Sequence, residues 1–116
     1  MKLRLHAGSL RLRLSQSECA RLYEIGNVED MVVFQPGKQL SYAIETGSVK
    51  ETTATFDDSK IRVTIPAGVA AEWIESDQTG IEASAGTLRL LIEKDFQCLH
   101  REPAPGEDAF PNPLAT

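Results

Sequence analysis

A chain of 116 residues holds one domain's worth of sequence and can bury a single core without staples. Its 41% hydrophobic and 25% charged content excludes wholesale disorder, and a net charge of −5 gives no electrostatic reason to expect a nucleic-acid partner. Two cysteines are too few for a disulfide scaffold and no apolar run approaches a membrane span, so the expectation is a reduced, soluble, cytoplasmic domain.

Lys2 to His6 and Leu10 to Leu14 alternate, with Leu3, Leu5, Leu10, Leu12 and Leu14 on one face and basic residues between them. Period-two alternation marks half-buried strands, and Ala7-Gly8-Ser9 between them predicts a hairpin. Ser15 and Glu18 form a capping box that opens a helix of about three turns. Its expected apolar stripe is Cys19, Leu22, Tyr23 and Ile25, and Gly26 stands where a left-handed C-terminal cap is wanted. Val28 to Phe34 and Leu40 to Glu45 read as strands on either side of a Pro36-Gly37 turn.

The plan then repeats. Residues 3–14 lie over residues 54–65 without a gap, Arg11 falling on Arg62, an offset of 51. Thr52 to Phe56 and Ile61 to Ile65 are predicted strands around Asp57-Asp58-Ser59, and Pro66 suits the first position of a second helix. Val69, Ala70, Trp73 and Ile74 are its expected stripe, with Ala70 over Cys19 and Trp73 over Leu22. Gly80 to Ala83 and Thr87 to Glu93 complete the copy, with Ile92 and Glu93 on Ile44 and Glu45.

Each copy reads β-β-α-β-β, which predicts an α+β domain over residues 1–100 with internal repeats of roughly 1–47 and 48–95. Eight mostly antiparallel strands and two helices would bury their apolar faces in a barrel-like or two-sheet arrangement, the pseudo-twofold barrel being the favoured form. Residues 101–116 carry Pro103, Pro105, Pro111 and Pro113 and read as an extended acidic tail. Phe110, flanked by Asp108 and Pro111, is the tail's one aromatic; with Pro111 and Pro113 it makes a candidate docking strap.

Chemistry-bearing patterns are sparse. Arg4, Arg11, Arg13, Arg62 and Arg89 all fall on strands. Turned inward, Arg11, Arg62 and Arg89 would line a cavity for a small phosphorylated or carboxylated ligand, which guanidinium groups bind in bidentate fashion. Turned outward, they would pair with Glu29, Glu45, Glu82 and Glu93 in solvent. An inward-charged barrel invites comparison with the triphosphate tunnel enzymes, but their Glu-x-Glu-x-Lys strand has no counterpart in Met1-Lys2-Leu3-Arg4-Leu5. Cys98-x-His100 lacks the second pair that a zinc site wants, and is read as incidental. No phosphate-binding loop, nucleophile elbow or dinucleotide fingerprint is present, so no catalytic residue, metal or cofactor is assigned.

The opening SLRLRLSQSE and the ending LIEKDFQCLHRE…EDAFPNP resemble a family of short uncharacterised bacterial proteins, the likeness running from the first strand to the Pro111-Asn112-Pro113 tail. That resemblance implies a self-standing protein and no particular activity. The expectation is therefore a binding or protein-interaction module without catalysis, acting on an unknown protein partner or on itself. An enzyme or carrier for a small anionic ligand is the alternative.

Overall fold

A computed structural model describes residues 1–96 of the chain. The described elements are β1 (Lys2–His6), β2 (Ser9–Leu14), α1 (Gln16–Glu24), β3 (Asn27–Gln35), β4 (Lys38–Gly47), β5 (Thr53–Asp57), β6 (Lys60–Pro66), α2 (Ala67–Glu75), β7 (Gly80–Ala85) and β8 (Leu88–Lys94). Cys98, His100, Phe110, Pro111 and Pro113 lie outside the described residues.

The alternating leucines of β2 do what their period requires, whereas on the edge strand β1 Leu3 is half-buried and Leu5 is exposed. Leu10, Leu12 and Leu14 on β2 are buried, as are Leu90 and Ile92 on β8, while the residues between them face outward. Tyr42 and Ile44 on β4 and Ile61, Val63 and Ile65 on β6 do the same in a second sheet. The two inner faces, with Cys19 and Leu22 of α1 and Ala70 and Trp73 of α2, form one continuous core. Full burial of each such leucine or isoleucine is worth about 1.5–3 kcal/mol.

The sheets are ordered β1-β2-β8-β7 and β3-β4-β6-β5. Each hairpin-helix-hairpin unit is thus divided between them, α1 carrying the chain from the first sheet to the second and α2 carrying it back. The hairpin pairs are antiparallel, as their short turns demand. At the centre of each sheet the pairing is parallel, β2 with β8 and β4 with β6, strands that no short turn connects. The two central ladders correspond under the repeat: Leu10↔Leu90 and Leu12↔Ile92 match Tyr42↔Ile61 and Ile44↔Val63.

Of the two arrangements expected from sequence, the two-sheet form is the one adopted; the favoured barrel does not close. Closure would need ladders between β1 and β3 and between β5 and β7, and among the described residues there are none. Where β1 approaches β3 the contact is ionic instead. The Met1 ammonium meets Glu18, and lies 3.2 Å from the Asp30 carboxylate on β3.

The helices refine the expectation. The Ser15–Glu18 capping box forms, Glu18 N–H donating to the Ser15 hydroxyl and Ser15 N–H to the Glu18 carboxylate. Gly26 takes the left-handed conformation at φ +88°, its N–H closing on the carbonyls of Arg21 and Leu22. The buried stripe of α1 is narrower than predicted. Only Cys19 and Leu22 are buried, while Tyr23 and Ile25 are exposed, Tyr23 donating its hydroxyl hydrogen bond to Glu75 of α2. In α2, Ala70 and Trp73 are buried, Ile74 packs against the core and Val69 is exposed. Pro66 is the N-cap, not the first helical residue: at φ −59° and ψ 137° it still pairs with Gly47 as the last residue of β6.

Candidate functional site

With the leucines inward, the arginines must face out, and the inward cavity of Arg11, Arg62 and Arg89 does not form. Arg11 and Arg89 lie on the outer face of the β1-β2-β8-β7 sheet, and Arg62 lies on that of the other sheet. The three meet different carboxylates: Arg11 Nε is 3.5 Å from Glu93, Arg62 Nε is 3.4 Å from Glu45, and Arg89 pairs with Glu82. The first two are the same interaction in the two halves, since Arg11 corresponds to Arg62 and Glu93 to Glu45. They are cross-strand pairs that fasten the central parallel ladders, a structural use of arginine worth a few tenths to about 1 kcal/mol each.

What the fold does gather is a basic outer face. On β1 and β2 the register sets Lys2 opposite Arg13 and Arg4 opposite Arg11, two like-charged pairs in succession. The first is bridged by an acid: Asp95 lies 2.9 Å from Lys2 Nζ and 4.0 Å from Arg13. Among the described residues the second has only Glu93, which Arg11 shares with Arg13. Arg4 has no carboxylate within ion-pair distance among the described residues. Beside it a depression of about 220 Å³ is lined by Arg4, His6, Ser9, Arg11 and Leu91. The pseudo-equivalent positions in the other sheet, Thr55, Asp57 and Lys60, do not repeat this concentration of positive charge.

A second exposed feature belongs to β3 and β4. Pairing of β4 with β6 begins only at Ser41, so Lys38, Gln39 and Leu40 have no β6 partner and the hairpin overhangs its sheet by roughly 10 Å. In the other half, only Leu88 of β8 precedes the start of pairing with β2. The overhanging arm carries Met31, Val32, Val33 and Phe34, exposed by 49%, 43%, 61% and 70%. Its tip is the Pro36-Gly37 turn, where Gly37 supplies the φ of +78° that a type II turn requires. The ladder with β4 is regular through Val33 and shifts before Gln35.

Titratable groups outside these faces serve the fold. Burial alone would lower the pKa of the Met1 ammonium, but its bonds to Glu18 and Asp30 outweigh that and raise it. Burial would likewise raise that of Glu18; the ammonium and the Ser15 backbone N–H overcome it and hold the carboxyl below its usual range. Burial pushes the Cys19 thiol up, which suits a core residue and not a nucleophile. Tyr42 donates to the Met1 carbonyl at 2.9 Å, and burial followed by the nearby Asp30 raises its phenol. Among the described residues no three His, Cys, Asp or Glu side chains converge as metal ligands, and no helix is long and apolar enough to cross a membrane.

Glu45, Glu82 and Glu93, expected from sequence as outward partners of the arginines, are the carboxylates that Arg62, Arg89 and Arg11 meet. Which arginine takes which, and the exposure of Met31–Phe34 within β3, are not evident from the pattern of the chain. The arm's one sequence signal is an unbroken apolar run of four residues, without alternation, next to a turn. The opposition of Arg4 to Arg11 follows from a turn of two residues, Ala7-Gly8, in place of the expected Ala7-Gly8-Ser9, with Ser9 pairing His6 as the first residue of β2.

No curated protein and no solved structure matches the chain. A family model matches residues 1–114, and on that match the chain belongs to a family of unknown function (DUF7009).

Proposed function

We propose that this chain is a non-catalytic interaction module and that its first partner is a second copy of itself, joined along β3. The observation that carries the reading is the exposed, charge-free run from Met31 to Phe34 on the longest of the four edge strands. An open edge of this kind is a template for strand addition, and proteins ordinarily blunt it with charge, proline or brevity. Here β1 is blunted by Lys2, Arg4 and His6, whereas the outer half of β3 has no such protection.

A second β3 is the occupant whose chemistry fits. Antiparallel pairing sets apolar residues against apolar residues, and a twofold contact closes without leaving a further edge to propagate. The charge order agrees: Glu29 and Asp30 lie toward one end of β3 and Lys38 at the tip beyond the other, so antiparallel apposition brings opposite charges together. Ladder hydrogen bonds would give affinity, and the exposed side chains of the arm the specificity.

Sedimentation or light scattering of the purified protein tests this directly. The parent is expected to run as a dimer and Val33→Lys as a monomer with an unchanged circular dichroism spectrum. A monomeric parent, or a Val33→Lys protein with the parent's mass, overturns the reading.

A further inference from the structure

We infer that the outer face of the β1-β2-β8-β7 sheet binds a phosphoryl group between Arg4 and Arg11. The β1–β2 hairpin contains an electrostatic conflict. Like charges directly opposite on neighbouring strands are destabilising, and β1–β2 has two such pairs, Lys2↔Arg13 and Arg4↔Arg11. The chain resolves the first itself by placing the Asp95 carboxylate against both cations. It does not resolve the second. Glu93 is the only acid beside that pair among the described residues; one of its oxygens lies 3.5 Å from Arg11 Nε and 3.5 Å from Arg13 Nε. Arg11 Nε is buried without a hydrogen-bond acceptor among the described residues. An anion supplied from outside would do for Arg4 and Arg11 what Asp95 does for Lys2 and Arg13.

The surroundings select the kind of anion. Arg4 and Arg11 each present a planar fork of N–H donors, and the His6 ring adds a further donor in the same depression. Ser9 lines it too, but its hydroxyl donates to the His6 carbonyl at 3.2 Å and so holds the turn. Three donor groups around one depression match the several oxygens of a tetrahedral phosphoryl group better than the two of a carboxylate. The depression, about 220 Å³ and floored by Leu91, is smaller than the roughly 300 Å³ at which sites for drug-sized ligands begin. It therefore takes the phosphorylated end of a small molecule and leaves the remainder in solvent.

Inorganic phosphate is the probe, titrated against the full chain at constant ionic strength set with chloride, with thermal midpoint and amide NMR shifts as readouts. Phosphate is expected to raise the midpoint saturably and to move the amides of Arg4, His6 and Arg11. Arg4→Gln should weaken that response about tenfold or more, while Arg89→Gln, on the same face but paired with Glu82, should keep it. Arg4 has no ion-pair partner to lose among the described residues, so without phosphate Arg4→Gln should melt no lower than the parent. A parent that responds to phosphate no more than to chloride, or an Arg4→Gln protein that responds like the parent, overturns the inference. Neither readout depends on the state of β3.

Discussion

Trp73 is the only tryptophan in the chain; it is fully buried, and its Nε1 lacks a hydrogen-bond partner among the described residues. Its contribution is therefore volume and apolar area. Trp73→Ala should cost about 3–5 kcal/mol, whereas Trp73→Phe should cost much less, since it removes no hydrogen bond and eliminates an unpaired buried donor. Urea unfolding followed by circular dichroism distinguishes the two, and equal losses would show that the indole N–H does have a partner. Glu18 joins the capping box to the Met1 ammonium, and this pair gives stability a pH dependence of known sign. The lowered Glu18 pKa contributes stability above its ordinary value of 4.5, lost as pH falls through the folded value. The raised ammonium pKa contributes below its ordinary 8.0, lost as pH rises through the folded value. Glu18→Gln should flatten both limbs of a plot of urea midpoint against pH; limbs as steep as the parent's would contradict the pairing.

At the scale of elements, the two helices fill equivalent places with different means. A capping box starts α1 and left-handed Gly26 ends it, whereas Pro66 before α2 provides no side-chain cap. Gly26 also lies so close to Thr46 that an added Cβ would stand 3.0 Å from the threonine hydroxyl. Gly26→Ala combines that crowding with a positive φ and should destabilise by about 1 kcal/mol or more. A thermal melt checks this, and an unchanged midpoint would mean the α1–β3 junction relaxes freely. Much of this level was legible in sequence. Leu10, Leu12 and Leu14 announce β2 by their period, and Cys19 and Leu22 predict the buried positions of Ala70 and Trp73 through the repeat. Tyr23 and Ile25 depart from the expected stripe because the nine-residue α1 buries only Cys19 and Leu22. Periodicity shows which residues could face a core, not how far the core extends.

For the whole molecule, the division of each half between two sheets decides what becomes a surface. Local pattern yields hairpins and helices, but not that β2 lies beside β8 or β4 beside β6, because those ladders join residues far apart in the chain. The same long-range pairings decide which carboxylate each arginine takes: the sequence offers Glu45 and Glu93 as partners, but only the ladders assign Glu93 to Arg11 and Glu45 to Arg62. Lack of closure into a barrel has a functional consequence: it leaves β3 as an edge. The unequal lengths of the two second hairpins then make that edge an arm in one half only. On this account one sheet's outer face meets a small phosphorylated ligand while the other sheet's edge meets a second copy of the chain.

Concentration-dependent amide hydrogen exchange along β3 tests the central claim most directly. If two copies pair along this strand, the amides of Met31 to Val33 that point away from β4 gain protection as protein concentration rises, and Val33→Lys abolishes the gain. Rapid exchange of those amides at every concentration, with β4 and β6 fully protected, would show that the edge stays open and that the arm serves another purpose.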